Sequence, residues 1–369
     1  MRRRRSTALQ DCDRLRALGP LVVKPAGALP AWRDCAERLA VVIPRERLDP
    51  AVLRWAEGSS PRALWSVAFS GGADSLALLL LLWAHWPERR RRLRVLHFNH
   101  RLRGGESRAD VTFCRRVAKA LGLTFITDSW AGHHPRASEA DARAARMAFL
   151  EKHARVVWFG HQQDDIAETM LMRMARGSGT GGLAAPRPVQ PHPGGRVHLR
   201  PLLGLKKTEI TAALRQVGAS WREDSSNAGY QYLRNRVREK IIPLWVRAAE
   251  RDALAGAARS RHLLEEDDAA LEAWLAEINP FHRRGVLALD LLAGKPRALL
   301  RRALHRWLLS EPRAGEISRQ AFESLLHALE VGRATRHSLG REGFAVTNGR
   351  ELVFERARNK RPNFHRSAN

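Results

Sequence analysis

The chain has 369 residues, 44% of them hydrophobic, which suffices for real cores and exceeds one ordinary domain. Lys and Arg number 64 against 38 Asp and Glu, a formal net charge of +26 with a pI near 11.5. The longest apolar run, Leu76–Trp83, falls short of the roughly 18 residues of a membrane span, the basic start Met1–Arg5 has no apolar stretch behind it as a secretory signal requires, and Cys12, Cys35 and Cys114 form neither a disulfide framework nor a metal-binding pair.

A cytoplasmic setting without membrane attachment is therefore expected. The charge suits a polyanionic partner, because each neutralised phosphate releases counterions. Only eight of the 64 cations are Lys, so an Arg-rich composition is the competing reading, and charge does not separate DNA from RNA.

Residues 1–40 read as a basic N-terminal extension, Pro- and Gly-punctuated, without periodicity and expected to be disordered. From Ala63 to Phe69 an apolar run ends in a glycine pair, and the helical pattern of residues 75–86 follows: strand, tight turn, helix. Short strands are expected at Leu93–Phe98, Thr124–Thr127 and Val156–Phe159, separated by helices around Ala109–Ala120 and over Glu139–His153. This alternation predicts an α/β fold, a parallel sheet with helices on both faces, whose ligands sit at the carboxyl ends of the strands. Residues 177–199, rich in Gly and Pro, are expected as a long ordered or gating loop. The catalytic domain is drawn over 41–245. A smaller, mostly helical C-terminal domain covers 246–357, with a hairpin of Phe344–Thr347 and Glu351–Glu355 around Asn348-Gly349, and a basic tail covers 358–369. No repeat of solenoid period is present.

Three loops at the expected ligand edge carry chemistry. Ser70-Gly71-Gly72-Ala73-Asp74-Ser75 joins strand to helix. Its glycines admit close approach of an anion, and the helix start offers unpaired N–H groups. It lacks the Walker ending, and an ordinary turn capped by Asp74 or Ser75 is the plainer alternative. A carboxylate beside a phosphate cradle favours Mg²⁺, for which Asp74 is the candidate ligand. His97 through Ser107 gathers histidines, arginines and a glycine pair. Gly160 through Thr169 places Asp165 and Glu168 on one helix face, suited to a metal or an amine or simply to capping. Glu139, Arg143 and Arg146 share a helix face. Trp221, Asp224, Asn227 and the run Arg234 to Arg238 add an aromatic ring and guanidiniums, which clamp phosphates well. Neither an HExxH pattern nor paired Cys/His spacing occurs, so no zinc and no iron–sulfur cluster is expected.

In order, these segments resemble the PP-loop (N-type ATP pyrophosphatase) family and, within it, the tRNA(Ile)-lysidine synthases. The matching pieces, over roughly residues 63–243, are SGGADS, HFNHRLRGGES, EADARAARMAFL, GHQQDDIAETMLMRMARGSG, RPLL with KKTEI, WREDSSN and RNRVR. SGGADS marks only the superfamily; the GHQQDDIAET to RGSG block with RNRVR marks the branch. Arg101 stands where the family commonly has glycine. The region to about residue 356 resembles the family's first C-terminal domain, and longer members carry a second.

The resemblance implies ATP as substrate, Mg²⁺, L-lysine, and the minor isoleucine tRNA with a CAU anticodon. Oxygen 2 of the wobble cytidine would be adenylated with loss of pyrophosphate. The lysine ε-amine would then attack carbon 2 and expel AMP. It further implies that Ser70, Gly71, Gly72, Ala73, Asp74 and Ser75 bind ATP, with catalytic roles for Asp74, Asp165, Arg143, Arg146 and Arg236. Asp165 would position the lysine amine or a metal, the arginines would stabilise phosphate charge, and Arg234 and Arg238 would bind tRNA. Oligomeric state stays open, a homodimer included. A PP-loop tRNA thiolase and a catalytically silent tRNA-binding protein are the alternatives.

Overall fold

A computed structural model describes residues 31–101, 105–131, 138–223, 233–311, 317–340 and 343–357. The described chain divides into two compact units. The first runs to Glu168 and takes Pro186–Ala258; the second takes Thr169–Ala185 and the chain from Arg259 onward.

The first unit begins with α1 (Trp32–Val42) and α2 (Pro50–Gly58), the latter capped by the Asp49 side chain on the Ala51 amide at 2.9 Å. The alternating elements follow: β1 (Trp65–Ala68), α3 (Ala73–His85), β2 (Leu93–Asn99), α4 (Gly105–Leu121), β3 (Thr124–Ser129), α5 (Glu139–His153), β4 (Val156–Trp158) and α6 (Gln163–Met174). The division between the units falls within α6. A short helical turn, α7 (Thr180–Leu183), belongs to the second unit. The first unit resumes with the strands β5 (Val189–His192) and β6 (Arg196–Leu199), then α8 (Lys207–Gln216), α9 (Leu233–Arg236), a π-helical stretch Val237–Ile241, and α10 (Ile242–Ala248).

The six strands lie in the order β3-β2-β1-β4-β6-β5, parallel except for the edge pair β5–β6. Side chains alternate across this sheet as the two-residue strand period requires. Trp65 and Val67 of β1, Val95 of β2 and Trp158 of β4 enter one core with α1, α3 and α8. Ala68, Leu96 and Val157 enter a second core on the other face, with Phe149 and Leu150 of α5. α3 is apolar all round, with Leu76 to Leu82 at most 1% exposed, as expected of a helix enclosed by protein.

In the second unit, α11 (Ala253–Ile278, most of its length), α12 (Arg297–Ser310) and α13 (Arg319–Glu330) pack with four antiparallel strands in the order β7-β10-β9-β8. These are β7 (Val286–Ala288), β8 (Thr335–Ser338), β9 (Gly343–Thr347) and β10 (Glu351–Arg356). The hairpin expected around Asn348-Gly349 is the β9–β10 pair, and β7 and β8 extend it on either side.

Three boundaries differ from the sequence reading. Trp32, Cys35, Ala36, Leu39 and Ile43 are buried at helical spacing, so an extension ending at residue 40 would cut through a packed helix. Residues 1–30 and the tail 358–369 lie outside the described residues. The line drawn at 245/246 falls inside α10, while 169–185 groups with the C-terminal unit. Residues 177–199, expected as loop, hold α7 and the β5–β6 hairpin. Their prolines disguised a strand, which tolerates proline at an edge.

Candidate active site

Strand order reverses between β1 and β4, so the loops leaving these two neighbours part to opposite sides and open a crevice at their carboxyl ends. Ser70–Gly72 leaves β1 there and Phe159–Gln162 leaves β4. The two loops meet closely: a Cβ added at Gly160 would lie 2.7 Å from the Asp74 carbonyl oxygen.

Gly71 has φ +92°, a conformation that favours glycine, and Gly72 is the N-cap of α3 without a side chain to offer. The first turn of a 13-residue helix is thereby left open to an anion. The two serines form one cluster. Their hydroxyls are 3.1 Å apart, and Ser75 Oγ accepts from the Ser70 amide at 3.2 Å and donates to the Gly72 carbonyl at 3.0 Å.

Asp74 stands in the first turn of α3, and its Oδ1 is buried with no hydrogen-bond partner among the described residues. Burial, then the charge of Asp165, push its pKa up to about 6, while Lys207 and Arg238 pull it back. Asp165 and Glu168 lie on α6. One Asp165 oxygen accepts from the Gln162 amide at 2.9 Å and the other binds the Arg234 guanidinium. Glu168, 1% exposed, receives Arg234 Nε at 2.7 Å and both Arg238 Nε and Nη2, the latter at 3.1 Å. Arg234 and Arg238 are four apart and reach the same side, whereas Arg236 between them is exposed. The two arginines expected to bind tRNA sit on the acidic pair, and Arg236, expected to stabilise phosphate charge, is exposed.

Arg146 of α5 is half-buried. Burial and the neighbouring Arg143 lower its pKa to about 10, so it stays cationic at neutral pH. It flanks the Phe159 ring at 5.9 Å, and Arg200 flanks the same ring at 5.5 Å. Arg143 itself is exposed. Arg200 Nε donates to His161 Nδ1 at 2.9 Å, and burial holds His161 well below its usual pKa, hence neutral. His97, also kept neutral by burial, donates Nδ1–H to the Phe69 carbonyl at 2.9 Å.

Beside the serine loop, at the ends of β1 and β2, opens a cavity of about 170 Å³ bounded by Phe69, His97, Asn99, Asp110, Arg146 and Arg222. Its rim includes Asn99, whose side chain accepts from the Arg101 amide at 2.9 Å and supports a left-handed Arg101 with φ +56°. This explains why glycine is at home at position 101. Cys114 is fully buried, its pKa raised by burial, with its sulfur beneath Gly71; it is a packing thiol. Trp221 packs partly buried on the main core, and Asp224 and Asn227 lie outside the described residues.

Asp110, Lys207, Arg200 and Arg222 escaped the sequence reading. Lys207 donates its amide to Asp164 at 3.0 Å, and the Gln163 amide bonds the Leu205 carbonyl at 2.8 Å, which brings the start of α8 to the acidic turn. KKTEI and WREDSSN held Lys207 and Arg222, but a motif does not announce which member faces the site.

A family model described as the PP-loop domain matches residues 49–245. A tRNA(Ile)-lysidine synthase of Gloeobacter violaceus is 37% identical over 270 residues, covering 72% of this chain and 81% of that protein. The chain belongs to the tRNA(Ile)-lysidine synthase family. Another member, from Geobacter sulfurreducens, is 37% identical over 273 residues, 70% of this chain and 56% of its own. Against several curated relatives of this family the chain spans only about half of their length. Among solved structures, a U34-tRNA thiolase of Methanococcus maripaludis with its iron–sulfur cluster overlaps 64% of this chain and 79% of its own. Its TM-score is 0.46 and its identity 14%.

Proposed function

We propose that the protein joins L-lysine to carbon 2 of the wobble cytidine of the CAU-anticodon isoleucine tRNA, at the expense of ATP. The observation that carries this reading is Asp74, whose buried Oδ1 has no hydrogen-bond partner among the described residues, at the mouth of an open, glycine-hinged helix start and within the field of Asp165. Family membership supplies the substrates; the geometry supports their places.

The Ser70–Ser75 loop receives the polyphosphate, and the adjoining cavity receives the nucleoside. Cytidine O2 attacks the α-phosphorus, the bond to pyrophosphate breaks, and adenylated cytidine results. The lysine ε-amine then forms its bond to C2 as the C2–O2 bond breaks and AMP departs with that oxygen. Alignment and charge stabilisation dominate such a reaction. Arg146, which lines the cavity, and Lys207, whose charge acts on Asp74, support the phosphate charge. Asp165 and Glu168 suit an ammonium or amine because they already hold cations; lysine would share or displace the guanidiniums of Arg234 and Arg238.

The residues fit a divalent ion, since Asp74 Oδ1 is buried without a hydrogen-bond partner among the described residues and the charge of Asp165 acts on it. Asp74, and Asp165 beside it, would hold Mg²⁺, with phosphate oxygens and water as its further ligands. When bound, Mg²⁺ neutralises polyphosphate charge. Among the described residues no helix is long and apolar enough to cross a membrane, and a cytoplasmic site of action fits a tRNA substrate. The surplus of +26 suits that polyanion. Cys114, protonated and enclosed, offers no support to sulfur delivery.

The test is labelled lysine with ATP and transcripts of the minor isoleucine and the methionine tRNAs in parallel. Label should enter only the isoleucine tRNA and only with ATP; equal labelling, or none, contradicts the proposal.

A further inference from the structure

Arg222 and Asp110 are 112 residues apart in sequence and meet at the nucleotide loop. Arg222 Nε binds Asp110 Oδ1 at 2.7 Å, and Asp110 is 6% exposed on α4. The backbone N–H of the same arginine donates to the Gly71 carbonyl at 2.9 Å. One turn beyond Asp110, Cys114 and its neighbour Phe113 close the space beneath Gly71: a Cβ there would lie 3.1 Å from Cys114 Sγ and 3.5 Å from Arg222 Cγ.

A trans peptide points its C=O and its N–H in opposite directions. Holding the Gly71 carbonyl on Arg222 therefore turns the Gly72 N–H the other way. That is the side of the serine hydroxyls, where the Gly72 N–H donates to Ser70 Oγ at 3.4 Å. Left alone, a Gly-Gly peptide rotates easily and would offer an anion its carbonyl as readily as its amide.

We infer that the Asp110–Arg222 ion pair is the positioning device of the nucleotide loop, fixing the Gly71–Gly72 peptide with its N–H toward the phosphates. Resting on the ATP reading above, this assigns to the pair a role in nucleotide affinity. Neither residue takes part in the bonds made or broken. Asp110 anchors the guanidinium, the guanidinium anchors the backbone of residue 222, and that backbone orients the peptide.

The test measures equilibrium binding of ATP with Mg²⁺, and lysine incorporation, for the full chain and for Arg222→Gln, Arg222→Lys, Asp110→Asn and the double variant Asp110→Asn/Arg222→Gln. Loss of a charged hydrogen bond that sets the loop should weaken ATP binding about tenfold in either single variant. The double variant should be no worse than one of them, because the pair acts as a unit. Arg222→Lys, which retains a cation within reach of Asp110, should recover most of the affinity. The rate at saturating ATP and the KM for lysine should hold within about threefold. Mere structural damage would instead lower the active fraction, and with it the rate, at unchanged ATP affinity. ATP affinity within twofold of wild type in Arg222→Gln and Asp110→Asn, or penalties that multiply in the double variant, overturns the inference. If Arg222→Gln fails to fold, the isosteric Asp110→Asn decides it alone: affinity within twofold of wild type overturns the inference, and a loss of about tenfold supports it. Failure of the wild-type protein to bind ATP at all would fall on the proposed function instead.

Discussion

Gly160 lies against the backbone of Asp74 so closely that the smallest side chain would overlap it, at 2.7 Å from its carbonyl oxygen. The loop after β4 and the first turn of α3 are thus one packed unit at the switch point, and the carbonyls and amides of that turn cannot shift independently. Gly160→Ala should force the turn away, at a cost of about 1–3 kcal/mol of stability. ATP affinity should fall together with the midpoint of urea unfolding. Wild-type values of both would show the two loops to be less tightly joined.

Asp74 titrates within reach of ordinary buffers. With a pKa raised to about 6, it is ionised at pH 7.5 and largely protonated at pH 5. If the ionised form serves ATP and its metal, AMP formation at subsaturating ATP should decline below pH about 6, with one proton taken up. A profile flat down to pH 5 would separate Asp74 from that step.

The same shift makes a statement about folding, with the sign opposite to that of a salt-bridged carboxylate. The folded chain binds this proton more tightly than the unfolded one, so Asp74 weakens the unliganded fold as pH rises from about 4 to 6, and the penalty is constant above. Asp74→Asn should therefore abolish AMP formation and yet stabilise the unliganded protein at pH 7, by on the order of 2 kcal/mol. The gain should vanish near pH 4. Denaturant unfolding at the two pH values measures it, and a variant less stable than wild type at pH 7 would refute it.

Glu168 carries two guanidiniums on a nearly fully buried carboxylate. Removing one member of such a cluster strands the others, so Glu168→Gln should cost about 2–4 kcal/mol. Arg234→Ala should reduce AMP formation at least tenfold, whereas Arg236→Ala, an exposed site, should stay within about 0.5 kcal/mol of wild-type stability and lose far less activity. Equal losses of activity in the two arginine variants would contradict this expectation.

Much of this was legible locally. The passage from Trp65 through Ser75 to His85 declares a strand, a glycine turn and an apolar helix within one stretch of chain. So does the hairpin at Asn348-Gly349, because turn chemistry and strand period agree there. The helix Trp32–Val42 was also written in the sequence, as apolar residues at 32, 35, 36, 39 and 43. The roles of Arg234, Arg236 and Arg238 hinged on a helical phase that only placement fixes. The Asp110–Arg222 pair had no sequence signal, since two opposite charges so far apart in the chain are unremarkable until the fold joins them.

The outer strand of the main sheet carries its own safeguard. Val197 on β6 gives its amide to Arg155, so Pro191 opposite it directs its backbone away from the sheet, and there it has no N–H to give. A stray strand approaching that border would find its ladder interrupted midway. The proline that hid this strand from a reading of the sequence is thus also what discourages neighbouring molecules from polymerising along it.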